Sequence, residues 1–146
     1  PPRMLVRNLE MVLNNELREL FANGELRISI RDLKRVVGEI KKWNFSIDHT
    51  ELDFICANKL DRMLAKHGDP SLSSSEQFGL LVANMRESLE ILGTVGIYPE
   101  LNHIQDVVFH YLQKFSAGIS PEVRDELFKF AQQINIEIGK FKNVTA

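Results

Sequence analysis

Residues 33–43, LKRVVGEIKKW, and residues 82–92, VANMRESLEIL, show the same spacing of apolar residues at a shift of 49 positions. Apolar residues recur every three or four positions in both segments, which predicts two amphipathic helices of similar design. The match continues beyond a short connector, so each segment belongs to a helix–link–helix unit. The paired positions are Leu33 with Val82, Val36 with Met85, Ile40 with Leu89, Trp43 with Leu92, Leu52 with Leu101, Ile55 with Ile104, Leu60 with Phe109 and Met63 with Leu112.

This duplication predicts an all-α fold, a single-domain bundle of about six helices. We assign a leading helix to residues 3–22, repeat unit one to residues 29–68, repeat unit two to residues 74–117 and a partial third unit to residues 120–140. The leading helix carries an apolar stripe that includes Leu5, Leu9, Val12, Leu13, Leu17, Leu20 and Phe21. Solenoids usually need at least three repeats, so two units and a fraction favour one closed domain.

Local capping signals set the helix boundaries. Ser29 precedes the second helix, and Asp48 with Glu51 can cap the third. Pro99 is expected in the first turn of the fifth helix, and Ser120-Pro121 is a strong start for the sixth. The links, such as KWNFSID at residues 42–48, alternate apolar and polar residues. We expect them to bury apolar side chains over the helix ends, and a small sheet is the alternative.

Composition narrows the class of partner and the location. Lys and Arg number 18 against 20 Asp and Glu, which argues against nucleic acid. No apolar run approaches the roughly 20 residues of a membrane span, so we expect no membrane partner and a cytoplasmic protein. The single cysteine, Cys56, excludes an internal disulfide, and its neighbours Ile55 and Ala57 favour a core position. The start at Pro1-Pro2 suggests a processed protein or a piece of a longer one.

Motifs for chemistry are scarce. The sequence has no glycine-rich phosphate loop, HExxH, CxxC or GxSxG pattern, so we predict no catalytic residue and no cofactor. The best polar cluster lies in the fifth helix, where spacings of three and four place Glu100, His103, Asp106 and His110 on one face. That face lies opposite the apolar stripe and is expected to be solvated. Asp106 and His110 are the candidates for half of a metal site.

Two aromatic residues, Trp43 and Tyr98, are candidates for a sugar-stacking platform, because aromatic faces stack on the apolar faces of sugar rings. Trp43 also completes the apolar stripe of the second helix. A position in the core is therefore the favoured prediction for Trp43.

Two segments carry a resemblance to a known family, namely LGTVGIYPELNHIQDVVFHYL at residues 92–112 and VLNNELREL at residues 12–20. They resemble a helical C-terminal domain of unknown function in bacterial homologues of family-57 glycoside hydrolases, a group related to α-amylases and α-glucan-modifying enzymes. The similarity rests on hydrophobic spacing, Leu101-Asn102 and Gln105-Asp106, and covers nearly the whole chain. It implies a non-catalytic accessory domain that packs on or beside a catalytic barrel. The barrel supplies the catalytic carboxylates and the contact with α-glucan.

Two other functions remain open. The first is a short α-helical repeat module that mediates protein–protein interaction. The second is a small helical enzyme or metal protein that uses the fifth helix. A broad exposed apolar patch that includes the leading helix would favour packing against a parent domain, whereas a groove with room for a helix would favour the repeat module.

Overall fold

The computed structural model describes residues 3–67, 75–115 and 120–135, and six α-helices account for most of them. No strand occurs within these ranges, so the all-α prediction is confirmed. The helices are α1 (Arg3–Ala22), α2 (Ile30–Trp43), α3 (His49–His67), α4 (Ser75–Gly93), α5 (Asn102–Phe115) and α6 (Pro121–Gln133).

The starts of three helices follow the capping signals. The Ser29 hydroxyl accepts a hydrogen bond from the Asp32 N–H at 3.3 Å, and the Ser120 hydroxyl accepts one from the Val123 N–H at the same distance. At α3 the Asp48 carboxylate accepts from the Glu51 N–H. Each side chain satisfies an N–H group that the first helical turn leaves without a partner.

The prediction for Pro99 is wrong, because α5 begins three residues later at Asn102. The Leu101 carbonyl accepts the first helical hydrogen bond, from the Gln105 N–H at 2.8 Å, and the Glu100 carboxylate accepts from the Asn102 N–H. Pro99 is buried in the link before the helix. The fixed φ of proline suits an extended link as well as a first helical turn, so the residue type alone does not distinguish them.

The links bury apolar side chains without forming a sheet in the described residues. Phe45, Ile97 and Ile134 are all buried next to helix ends. Ile136 and Ile138 lie outside the described residues. At the end of α2, Asn44 adopts the left-handed conformation with φ of 53°, which lets the Phe45 N–H reach the Ile40 carbonyl at 3.0 Å. Asparagine tolerates this conformation better than most residues with a side chain.

Two compact units share the chain. The α1–α2 unit comprises Pro1–Lys59 and Glu87–Pro99, and α1 packs along α2 within it. The α5–α6 unit comprises Leu60–Arg86 and Glu100–Ala146, and α5 packs along α6 within it. These boundaries differ from those of the two sequence repeats. The assignment of residues 1–146 to one domain stays a prediction.

Some paired positions of the repeat agree in burial and others differ. Leu33 and Val82 are both fully buried, as are Val36 and Met85. Trp43, by contrast, is exposed although its partner Leu92 is fully buried. Leu60 is also fully buried, but its partner Phe109, in the middle of α5, is 38% exposed. The repeat therefore predicts burial more closely for α2 and α4 than for α3 and α5.

Candidate docking site

The first half of α1, residues 3–12, has no buried side chain. Its large apolar residues are exposed by 77% at Met4, 51% at Leu5, 42% at Leu9, 59% at Met11 and 48% at Val12. In the second half, Leu13, Leu17 and Phe21 are buried. The apolar stripe of α1 is therefore packed at Leu13, Leu17 and Phe21 but exposed at Leu5, Leu9 and Val12.

The lengths of the two packed helices account for part of the exposed half. With 20 residues in α1 and 14 in α2, α1 is longer by about 9 Å. The link that follows α2 meets the middle of α1, where the Ser46 carbonyl accepts from the Asn14 side chain at 2.9 Å and the Ser46 N–H donates to Glu10 at 3.0 Å. The turns of α1 before Glu10 extend beyond this contact.

Leu5, Leu9 and Val12 share one side of α1, because residues spaced by four and three lie above one another on a helix. We call these three residues the α1 apolar face. Exposed large apolar side chains on one side of a helix are candidates for a site that binds another protein.

A groove of about 470 Å³ lies between α1 and α2 and begins at the last residue of that face. Val12 and Leu20 of α1 and the fully buried Val36 of α2 give it an apolar lining. The complete lining of this α1–α2 groove is Val12, Asn15, Glu16, Glu19, Leu20, Asn23, Asp32, Arg35 and Val36.

The charges of the groove are unbalanced, with three carboxylates against one guanidinium. Arg35 donates to Glu16 at 2.8 Å, and this hydrogen bond and the charge of Glu16 raise the pKa of Arg35. Asp32 accepts from the Ser29 hydroxyl at 3.1 Å. The Glu19 side chain is exposed and has no recorded partner among the described residues. The charge of Asp32 also raises the pKa of Arg35, so one guanidinium faces several carboxylates and the groove keeps an excess of negative charge.

Lys59 of α3 fixes the C-terminal end of α1. Its side chain is 2% exposed, and its ammonium donates to the carbonyl and side-chain oxygens of Asn23, both at 3.1 Å, and to the Glu25 carbonyl. A positive charge at a helix C-terminus is favourable. The sequence analysis did not predict that Lys59 is buried. Its position next to Leu60 and three residues after Cys56 places it on the apolar stripe of α3, and this spacing could have indicated its burial.

The predicted polar cluster is exposed at Glu100, His103, Asp106 and His110, but Glu100 precedes α5, so its predicted place in the fifth helix is wrong. Among the described residues no group of three or more ligand-type side chains is placed to hold a metal ion. His103 lies close enough to Asp61 of α3 to affect it: burial raises the pKa of Asp61, and the charge of His103 lowers it by less. In the part of the chain that the structure describes, no third ligand from another element joins Asp106 and His110.

Trp43 is 48% exposed, so its predicted core position is wrong. It is the last residue of α2, and its indole N–H donates to Glu39 at 3.0 Å. Its ring stacks on Phe45 with centroids 6.4 Å apart, and the Lys42 ammonium lies 5.3 Å from the ring centre. The turn at Asn44 ends the helix, and Phe45 takes the buried position beyond it.

Tyr98 is 72% exposed, and its hydroxyl donates to the Gly93 carbonyl at 3.3 Å. Trp43 and Tyr98 are thus both exposed aromatic residues with contacts to their own helix ends. The sugar-stacking platform stays a prediction.

Cys56 is fully buried, which confirms its predicted core position. Burial raises the pKa of the thiol, and the charge of Asp53 raises it further. The thiol therefore stays protonated at neutral pH, where it is a poor nucleophile.

Comparison with known proteins yields no match to a family model, a curated protein or a solved structure. The resemblance to the helical domain of family-57 glycoside hydrolase homologues stays a prediction. No helix in the described parts of the chain is long and apolar enough to cross a membrane.

Proposed function

We propose that this chain is a non-catalytic accessory module that docks on a larger partner domain through the α1 apolar face. One observation carries the proposal: the first half of α1 exposes its large apolar side chains, whereas the second half of the same helix is packed. Burying a leucine side chain contributes about 1.5–3 kcal/mol. A partner that covers Leu5 and Leu9 therefore gains substantial affinity.

The titratable residues also support a role in binding. Cys56 has a raised pKa and is enclosed in the core, away from any substrate in solvent. His103, Asp106 and His110 lie on an open helix face. Catalytic acids and bases usually occupy clefts, whereas the α5 face is open.

We further propose that the partner is the catalytic barrel of a glycoside hydrolase-like, α-glucan-active protein. The support is the resemblance of residues 12–20, VLNNELREL, because that segment lies on α1 and supplies most of the α1 side of the groove. The barrel would bind the α-glucan and carry out hydrolysis. The helical module would pack on or beside it.

Binding of the purified chain to the separately purified barrel tests this proposal, with the barrel taken from the same reading frame. The double variant Leu5→Gln and Leu9→Gln should weaken binding about 100-fold or more, because both side chains leave the interface. The matched control is Leu80→Gln, a leucine of α4 with 47% exposure, which should bind like the unmodified chain. Isothermal titration calorimetry gives the affinities, and unfolding midpoints check that the variants fold.

Three results would contradict the proposal. Hydrolysis of α-glucan by the isolated chain would contradict the non-catalytic role. A reading frame without a barrel would contradict the glycoside hydrolase partner. Equal binding by the double variant and the control would exclude the α1 apolar face.

The second candidate function is a short helical repeat module that binds a segment of another protein. The α1–α2 groove is the observation that favours it, since its volume lies within the range of about 300–1,000 Å³ found for binding pockets. Such a module would bind its target segment without any barrel.

A further inference from the structure

We infer that the α1–α2 groove binds a positively charged amphipathic helix of the partner protein. This inference rests on the proposed function, because the groove continues from Val12 of the α1 apolar face. The occupant places apolar side chains toward the groove and lysine or arginine side chains along its two flanks.

The shape of the groove suits a helix. Its α1 wall runs from Val12 to Asn23, about 16 Å at the standard helical rise. Two helical turns of an occupant span about 11 Å, so apolar residues at spacings of three, four and seven fit within this length. Two packed helices present ridges and grooves on which a third helix can pack at 8–10 Å.

The apolar lining supplies the contact for the inward side of the occupant. Val12 and Leu20 line the α1 side and are at least partly exposed, whereas Val36 lines the α2 side but is fully buried, so the apolar contact with the occupant rests on Val12 and Leu20. An occupant that covers Val12 removes a half-exposed aliphatic side chain from water. This favours apolar anchors over a purely polar peptide.

The charge of the groove lining determines which side chains the occupant carries on its flanks. Arg35 interacts with Glu16 across the groove and with Asp32 on its own helix, so one guanidinium faces three carboxylates and the lining keeps a net negative charge. A lysine or arginine on each flank complements these carboxylates. An acidic occupant would bring like charges together, which selects against it.

Fluorescence anisotropy of synthetic peptides against the full chain tests the inference. The probe is a 15-residue amphipathic peptide with leucine on one face and lysine on the flanks. One matched peptide carries glutamate in place of every lysine, and another carries serine in place of every leucine. We expect the lysine–leucine peptide to bind at least about tenfold more tightly than either matched peptide.

A charge reversal in the protein locates the site. Glu19→Lys should weaken binding of the lysine–leucine peptide about tenfold and improve binding of the glutamate–leucine peptide. The control is Glu90→Lys, the same charge change at an exposed residue of α4 outside the groove lining. It should leave both affinities unchanged.

Several outcomes would overturn the inference. They are no binding, equal binding of the lysine and glutamate peptides, equal binding of the leucine and serine peptides, and no effect of Glu19→Lys. Sedimentation that shows a dimer abolished by Glu19→Lys would assign the groove to a second copy of the chain instead.

The inference and the proposed function can fail separately. Barrel binding that depends on Leu5 and Leu9 but not on Glu19 would keep the proposed function and overturn the inference. Peptide binding that depends on Glu19, without any barrel binding, would do the reverse.

Discussion

The two halves of α1 share one apolar spacing but differ in their surroundings. In residues 3–12, Leu5 and Leu9 are about half exposed, whereas Leu17 and Phe21 in the second half are fully buried. The second half packs along α2, and the link contact at Ser46 meets α1 near the boundary. The difference shows that apolar spacing predicts a helix and its inward face. It does not predict whether the chain itself contains the element that covers that face.

The largest expected change in stability comes from creating a cavity in the second half of α1. Leu17→Ala should lower the free energy of unfolding by about 2–5 kcal/mol, because a fully buried leucine leaves a cavity. Leu9→Ala in the first half should cost less than about 1 kcal/mol, because the side chain is already partly in water. Urea denaturation measures both. Equal losses would mean that the first half is packed as tightly as the second.

We expect an intermediate loss of stability when the contact at the C-terminal end of α1 is removed. Lys59→Met keeps most of the side-chain volume but removes the donor to Asn23 and Glu25, so it should cost about 1–3 kcal/mol. Lys66→Met, at an exposed lysine of the same helix, is the control and should stay within about 0.5 kcal/mol. Thermal unfolding of the two variants gives the comparison. A loss no larger for Lys59→Met would refute its role in fixing α1.

The smallest effect is expected at the boundary between the halves. Asn14→Ala removes the hydrogen bond to the Ser46 carbonyl and should cost about 0.5–1.5 kcal/mol. The control is Asn8→Ala, which makes the same change in helix propensity at an exposed position of α1. Amide hydrogen exchange should quicken across residues 3–12 in the Asn14 variant alone. Unchanged exchange there would show that the Ser46 contact does not hold the first half in place.

Local signals predicted much of the fold. Ser29, Asp48 and Ser120 each act within a few residues of the helix they start, so their effect is visible in sequence. The errors at Pro99 and Trp43 have another origin. Proline suits both a link and a first turn, and the burial of Trp43 depended on whether α2 continued or turned at Asn44.

The candidate site was less predictable, because its residues are distant in sequence. The α5 cluster of His103, Asp106 and His110 emerged from spacing within one helix. The α1–α2 groove instead combines Glu19 with Val36, which tertiary packing brings to one surface. Its acidic character comes from carboxylates on both helices, and no local pattern predicts that they lie on one surface.

Cys56 gives the α1–α2 unit a natural reporter of its own opening. The chain has one cysteine, which lies on α3 with its side chain fully buried. A thiol reagent modifies such a side chain only after the surrounding structure opens, so the modification rate measures the free energy of that opening. Each α1 variant can therefore be compared with the unmodified chain without an engineered label.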